Sequence, residues 1–258
     1  FGAWLHFLTT DRGKLVEGKR VIQVNNGLSD IGKFYQPDAV LVADAGQTAD
    51  NIKYWLDEAE IAPSGFALEL PQHDLSVHPR GDATHSTEGC INLEYALDRL
   101  NDTLPDNRIM MTDGGRYITE VWCRVSVPDP NSFHMTDNFA AIGQGMQQAI
   151  GAAHGDPSRP VVLFIGDGGF MMGGIGEFNT AVRTQRELIV IICNDAAYGA
   201  EHIQMRDRGI DPSPTEFDWP SFAAVAVSLG GEGVTVTSPE DLEDAILAIE
   251  ARKGPIVV

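Results

Sequence analysis

The tetrapeptide Gly-Asp-Gly-Gly at positions 166–169 constrains the fold of this chain more than any other feature, because short apolar runs stand on both sides of it. Residues 161–165 precede it and residues 188–193 follow it. Runs of this kind form strands that are buried on both faces of a parallel sheet. The intervening residues 173–185 are numerous enough for one crossover helix. The pattern therefore predicts a right-handed strand–helix–strand unit.

A polar residue that suits a metal ion follows each of these two strands. Asp167 follows the first, and Asn194 follows the second, 27 positions later. The carboxyl ends of parallel strands share one edge of the sheet, where open α/β sheets bind ligands. One anionic and one neutral oxygen suit Mg²⁺ that takes its other oxygens from water and a diphosphate. Gly168 and Gly169 would let the backbone approach closely, with the N–H groups of the following helix directed at the phosphates.

Composition excludes several classes of partner. A formal net charge of −19 over 258 residues argues against nucleic acid or an anionic membrane as a partner. The cysteines, Cys90, Cys123 and Cys193, are isolated and form no disulfide framework, which favours a reducing compartment and predicts a cytoplasmic protein. No apolar run approaches the roughly 20 residues that span a bilayer.

Strands and helices alternate along the chain, which predicts an α/β fold with a mainly parallel sheet flanked by helices. The predicted strands are residues 20–24, 39–43, 108–112, 161–165, 188–193, 233–236 and 255–258. The predicted helices are residues 46–60, 92–104, 116–125, 139–154, 173–185 and 219–229, and one that Ser238 opens. Residues 63–89 are irregular and contain several proline and glycine residues. We therefore predict that they form a linker between two domains, residues 1–62 and 90–258.

Both ends of the chain read as interrupted elements. The first residues are Phe-Gly-Ala-Trp, without a methionine, and the last, Gly-Pro-Ile-Val-Val, resemble a strand. We expect the chain to be an internal piece of a longer polypeptide.

The motif and its flanking strands resemble the cofactor signature of thiamine diphosphate (ThDP)-dependent enzymes, in which Gly-Asp-Gly precedes an Asn by roughly 25 to 30 residues. Residues 194–199, Asn-Asp-Ala-Ala-Tyr-Gly, extend that likeness. Residues 138–152 resemble the family's glycine-rich segment, and residues 1–60 resemble the second half of its central domain. The family includes acetolactate synthase, benzoylformate decarboxylase and pyruvate decarboxylase. The resemblance implies a ThDP-binding fold preceded by a partial Rossmann-like central domain.

The resemblance also implies roles for the matching positions. The metal ligands would be the side chains of Asp167 and Asn194 and the main-chain oxygen of Ala196. The positions that would contact the cofactor are Ala140, Ile142, Gly166, Gly168, Gly169 and Tyr198. Ile142 matches the bulky residue that bends the cofactor, and Ala140 matches the residue whose carbonyl receives the aminopyrimidine amino group.

Two residues that follow the motif are candidates for catalysis. Glu201 stands where some decarboxylases of the family carry a catalytic glutamate, and such a carboxyl could donate a proton. The alternative is a solvated residue early in a helix, favoured there by the helix dipole. His202 is a candidate substrate contact, with surface or packing roles as its alternative. The loop that Asp113 opens is either a plain turn or, as in the family, part of the cofactor or substrate site.

The function implied by the resemblance is a ThDP- and Mg²⁺-dependent carboligase of acetolactate synthase type that acts on a small 2-oxo acid. The first alternative is a ThDP-dependent 2-oxo acid decarboxylase. A further alternative is a non-catalytic nucleotide-binding α/β module. Some relatives bind FAD or ADP at the central domain, and half a domain is expected to hold neither.

One element of the family has no counterpart in these residues. Its members activate the cofactor with a glutamate on a separate pyrimidine-binding domain, which the same or a neighbouring subunit supplies. We therefore expect a homodimer or tetramer. The isolated chain is expected to bind ThDP weakly and to lack turnover.

Overall fold

The computed structural model describes residues 1–7, 9–65, 78–136, 139 and 141–258. The chain divides into two compact units, residues 1–73 and 74–258. This division lies inside the segment 63–89, while the exact ends of the predicted domains and linker stay a prediction. Within the part of the chain that the structure describes, no helix is long and apolar enough to cross a bilayer.

The first unit contains a pair of parallel strands and a helix. Strand β1 (Ile22–Asn25) pairs with β2 (Ala39–Val42), and helix α1 (Ala45–Glu58) follows. The side chain of Asp44 accepts a hydrogen bond from the Gln47 N–H, 2.9 Å away, and so caps the helix. The predicted strands and helix of this region are confirmed.

The second unit is built on a parallel sheet. Its strands are β3 (Ile109–Thr112), β4 (Phe133–Met135), β5 (Val161–Gly166), β6 (Leu188–Cys193), β7 (Glu232–Gly233) and β8 (Ile256–Val257). Among the described residues they form one six-stranded sheet in the order β4-β3-β5-β6-β8-β7, and every pairing is parallel. The predicted α/β fold with a mainly parallel sheet is therefore confirmed.

Helices cover both faces of this sheet. They are α2 (Leu93–Thr103), α3 (Ile118–Arg124), α4 (Gly145–Gly155), α5 (Asp167–Gly169), α6 (Ile175–Thr184), α7 (Gly199–Asp207), α8 (Phe222–Ser228) and α9 (Pro239–Ala251). On one face α4, α6 and α8 contribute to an apolar cluster that contains Leu163 of β5. On the other face α2, α3 and α9 contribute to a second cluster that contains Phe164, the next residue of the same strand. Because successive side chains of a strand point to opposite faces, β5 supplies the centre of both apolar layers.

Three boundaries differ most from the sequence prediction. The helix predicted at 139–154 begins only at Gly145, because Gly143 has a positive φ of 88° that interrupts helical geometry. The helix predicted at 219–229 begins at Phe222, where the Ser221 hydroxyl accepts the Ala224 N–H. The strand predicted at 233–236 is the two-residue β7, whose partner β8 is equally short.

Strand β4 was not predicted. It is three residues long, Phe-His-Met, and its residues are half-buried or exposed at the edge of the sheet. A run this short and this mixed in polarity carries no periodicity that distinguishes a strand from a loop.

The central position of β5 yields a stability prediction. Leu163 is fully buried, so Leu163→Ala in the intact protein should lower the free energy of unfolding by about 2–5 kcal/mol, measured by urea denaturation followed by circular dichroism. Leu247→Ala is the control, because Leu247 on α9 is 62% exposed and its truncation should change stability by about 0.5 kcal/mol or less. Equal losses in the two variants would contradict this assignment of the core.

Candidate active site

The register between β5 and β6 brings the two predicted metal ligands to one place. Gly166 at the end of β5 pairs with Cys193 at the end of β6. Asp167 and Asn194 are therefore the next residues of adjacent strands, which lie about 4.8 Å apart in a sheet. Both residues line one cavity of about 740 Å³ at this edge of the sheet.

Asp167 is the buried acid of the site. It is 2% exposed, and its Oδ2 accepts a hydrogen bond from Nε1–H of Trp219 at 2.7 Å. Burial raises the pKa of Asp167 and the charge of Asp195 adds to the increase, while the Trp219 hydrogen bond acts in the opposite direction. A buried carboxylate whose charge is only partly compensated is a favourable position for a cation.

Asn194 and Ala196 shape the second loop of the site. The Asn194 Oδ1 accepts the Ala196 N–H at 3.0 Å, and Ala196 has a left-handed φ of 54°. The Ala196 carbonyl accepts the Phe217 N–H at 2.8 Å. An amide or carbonyl oxygen has two lone pairs, so each of these oxygens can accept one hydrogen bond and still face a cation.

The three oxygens of Asp167, Asn194 and Ala196 are hard ligands of the kind that Mg²⁺ takes. Among the described residues, no group of three or more His, Cys, Asp or Glu side chains could hold a metal ion by itself. A metal held by the loops that follow β5 and β6 would therefore need further oxygens from a ligand or from water.

Glycine is required at the first turn of the helix that Asp167 opens. A Cβ at Gly168 would lie 2.6 Å from the ring of Tyr198, and a Cβ at Gly169 would lie 2.5 Å from the Asp113 Oδ2. A Cβ at Gly166 would meet the Tyr117 ring at 3.4 Å, which is ordinary contact. Side chains at 168 and 169 would therefore displace two neighbours of the site.

Asp113 holds the loop that carries Ile142. It is 1% exposed, its Oδ2 accepts the Gly143 N–H at 2.7 Å, and its Oδ1 accepts the Thr136 hydroxyl at 2.8 Å. Ile142 in turn lies on the cavity wall above Gly169, where a Cβ would come within 3.4 Å of its side chain. Sequence reasoning left Asp113 between a turn and a site residue. The available signal was an acid at the end of an apolar strand that adjoins β5.

The remaining candidates divide between the cavity and its surroundings. Glu201 is exposed in the first turn of α7 and lines the cavity. His202 is half-buried, and its Nδ1 lies 3.6 Å from the Glu216 carboxylate and 3.4 Å from the Thr215 hydroxyl, so its ring faces residues 215 and 216. Ala140 lies outside the described residues.

Comparison with known proteins decides the family. Residues 113–258 match the model of the thiamine pyrophosphate enzymes' C-terminal TPP binding domain, which is more than half of the chain. The chain belongs to the thiamine pyrophosphate enzymes. The predicted resemblance to this family is confirmed, and thiamine pyrophosphate is the same compound as ThDP.

Relatives cover nearly all of the chain. The acetolactate synthase of Bacillus subtilis (strain 168) is 26% identical over 251 residues, 94% of this chain and 43% of that protein. The acetolactate synthase isozyme 1 large subunit of Escherichia coli (strain K12) is 26% identical over 250 residues, 93% of this chain and 42% of that protein. This chain therefore spans less than half the length of either relative.

A solved structure shares the fold. The ThDP-dependent 4-hydroxybenzoylformate decarboxylase of Rhodococcus jostii RHA1 superposes with a TM-score of 0.71 at 21% sequence identity. The match covers 93% of this chain and 43% of that one. At this identity the likeness establishes the arrangement of strands and helices alone.

The site of this thiamine pyrophosphate enzyme fits a metal–diphosphate group by the chemistry of its donors. Its oxygens, from Asp167, Asn194 and Ala196, suit Mg²⁺, and the helix that begins at Asp167 directs its N-terminal amides to the same edge. Tyr198 stands against Gly168, with its ring edge-on to Phe217 at 4.6 Å. The Asp195 carboxylate lies 3.8 Å from the Arg116 guanidinium.

The raised pKa of Asp167 predicts how metal-free stability depends on pH. Because the folded pKa lies above the unfolded value of about 3.9, ionisation of Asp167 destabilises the fold as the pH rises through that interval. Asp167→Asn keeps an acceptor for Trp219 without the charge. In EDTA its melting temperature should exceed that of the wild type above this interval, by a margin that shrinks as the pH falls through the interval toward about 3.9.

Asp244→Asn is the matched control, because Asp244 is exposed on α9. Its melting temperature should not rise relative to that of the wild type as the pH increases. Differential scanning fluorimetry from pH 3 to pH 8 measures both variants, so that the scan includes the unfolded pKa of about 3.9. A melting temperature of Asp167→Asn that stays below the wild-type value throughout would contradict the assigned electrostatics.

Proposed function

We propose that this chain is the diphosphate- and metal-binding part of a ThDP- and Mg²⁺-dependent enzyme that joins 2-oxo acids, a carboligase of acetolactate synthase type. One observation carries the proposal. The register of β5 and β6 brings Asp167 and Asn194 to the same cavity, beside the glycines that open the following helix. Similarity to two acetolactate synthases supports the choice of reaction.

In this proposal the protein binds and orients ThDP, and ThDP carries the reactive carbon. ThDP, when bound, supplies the electron sink that allows the bond between a 2-oxo carbon and its carboxylate to break. Asp167, Asn194 and the Ala196 carbonyl would hold Mg²⁺, and the N–H groups at Gly168 and Gly169 would hold the diphosphate. Ile142, fixed through Gly143 and Asp113, presents an apolar side chain to the same cavity.

We propose that the rest of the active site comes from a pyrimidine-binding domain on the same or a neighbouring subunit, in a homodimer or tetramer. The length of the chain supports this proposal, because it spans 43% of the Bacillus subtilis acetolactate synthase. The domain limits 1–62 and 90–258 belong to the same proposal. Free thiols at Cys90, Cys123 and Cys193 support a cytoplasmic location.

Decarboxylation with release of an aldehyde is the second candidate. Glu201 favours it, because its carboxylate lies on the cavity wall, where it could hold a proton for the product. Its exposure and its place in the first turn of α7 favour the carboligase, since both fit a solvated residue that the helix dipole stabilises.

Calorimetry of the intact protein tests the proposed cofactor. ThDP should bind to the wild type with Mg²⁺ present and lose most of its affinity in EDTA. Asp167→Asn should weaken binding at least about tenfold, because it removes the anionic ligand of the cation. Asp244→Asn should bind as the wild type does. Equal ThDP affinity with Mg²⁺ and in EDTA would contradict the proposal.

Glu201→Gln separates the two reactions. If Glu201 supplies the proton, the variant should release aldehyde about 10²- to 10⁴-fold more slowly. We expect instead that aldehyde release and ligation, assayed separately on pyruvate, both stay within about fivefold of the wild type, a change far smaller than the loss of a general acid produces. Glu240→Gln is the matched control, because Glu240 is also an exposed glutamate in the first turn of a helix. Selective loss of aldehyde release in the Glu201 variant alone would favour the decarboxylase.

A further inference from the structure

One short segment, residues 215–219, is bonded to both loops that carry the proposed metal ligands. It pairs with the loop after β6 through the main chain: Tyr198 N–H donates to the Thr215 carbonyl at 2.9 Å, and Phe217 N–H donates to the Ala196 carbonyl at 2.8 Å. It reaches the loop after β5 through a side chain, the Trp219 indole bound to Asp167. The segment therefore ties the two loops to each other.

The contact between Trp219 and Asp167 is short and directional. The indole Nε1 lies 2.7 Å from the Asp167 Oδ2, within the range of a hydrogen bond to an ionised acceptor. The Phe217 ring stacks on the indole, with 4.4 Å between the ring centroids and 16° between the ring planes. Phe217 in turn meets the ring of Tyr198. The donor is thus fixed by a stack of rings.

An indole N–H is a donor only, so it cannot itself bind a cation. By donating to Oδ2 of the buried carboxylate, it restricts rotation of this group, to which the main-chain N–H groups of Gly168 and Asp167 also donate. Groups that hydrogen-bond to a metal ligand orient it, and their loss typically weakens metal binding by about 10- to 100-fold. Trp219 would orient Asp167 in the same way when Asp167 binds a metal.

We infer that Trp219 is a positioning residue for the metal site, which sets the orientation of the Asp167 carboxylate through its indole N–H. The inference rests on the proposed function, because it requires Asp167 to bind Mg²⁺. It extends that function by giving the 215–219 segment a role in cation affinity.

The competing explanation is that Trp219 only fills space. It packs against the apolar layer that α4, α6 and α8 form. A space-filling tryptophan would change the melting temperature on substitution and leave the Mg²⁺ affinity of the folded protein unchanged. Metal affinity therefore distinguishes the two roles.

The test is calorimetric titration of Mg²⁺ into the intact protein at saturating ThDP. Trp219→Phe keeps an aromatic ring and removes the N–H, and it should raise the Mg²⁺ dissociation constant about tenfold or more. Trp122→Phe is the matched control, because the Trp122 indole also donates to a side chain, the Thr112 hydroxyl at 3.2 Å, and does not line the cavity. It should bind Mg²⁺ as the wild type does.

A second substitution guards against a folding defect. Benzothienylalanine at position 219 replaces the indole N–H by sulfur and keeps the bicyclic shape, so the stack on Phe217 is retained. It should show the same loss of affinity at a nearly unchanged melting temperature. In turnover assays, the Mg²⁺ concentration for half-maximal rate should rise in both 219 variants, with kcat at saturating Mg²⁺ within about threefold of the wild type.

Wild-type Mg²⁺ affinity in the benzothienylalanine protein would overturn the inference and leave Trp219 with packing alone, whatever the Phe variant does. A wild-type protein that binds ThDP equally well without a divalent cation would overturn the proposed function, and the inference with it. The two failures are thus told apart by the wild-type titration.

Discussion

The parallel pairing of β5 with β6 is the constraint on which the site depends. Six residues of each strand are in register, from Val161 with Leu188 to Gly166 with Cys193. Both strands are buried between two helical layers, and a shift of one residue would move each side chain to the opposite layer. The packing of the core therefore fixes the level at which Asp167 and Asn194 leave the sheet.

The loops that follow these strands are held by hydrogen bonds within the protein. The Ala196 carbonyl and the Asn194 side-chain oxygen each accept one, and the Asp167 carboxylate accepts from the Trp219 indole and from the Gly168 main chain. Such preorganisation lowers the cost of arranging ligands when a cation binds. Asp113 is a second example, because its buried carboxylate accepts the Gly143 N–H and so fixes the loop that precedes α4.

Local sequence signals predicted the parts of the molecule that local interactions determine. Uninterrupted apolar runs identified β5 and β6, and Asn92 caps α2 by accepting the Tyr95 N–H, as its position before a helical pattern indicates. The contact of Trp219 with Asp167 joins residues 52 positions apart, and no local pattern encodes it. The hydrogen bond between Asp113 and Gly143 is equally absent from any local pattern, because the two residues lie 30 positions apart, although an acid at the end of an apolar strand marks Asp113 as a candidate.

The most direct measurement is a crystal structure of the intact protein with ThDP and Mn²⁺ in place of Mg²⁺, with the cation located by its anomalous scattering. We expect one Mn²⁺ peak within about 2.0–2.4 Å of an Asp167 carboxylate oxygen and of the Asn194 Oδ1, next to the diphosphate. A cation bound elsewhere, or a diphosphate held without contact to either side chain, would contradict it.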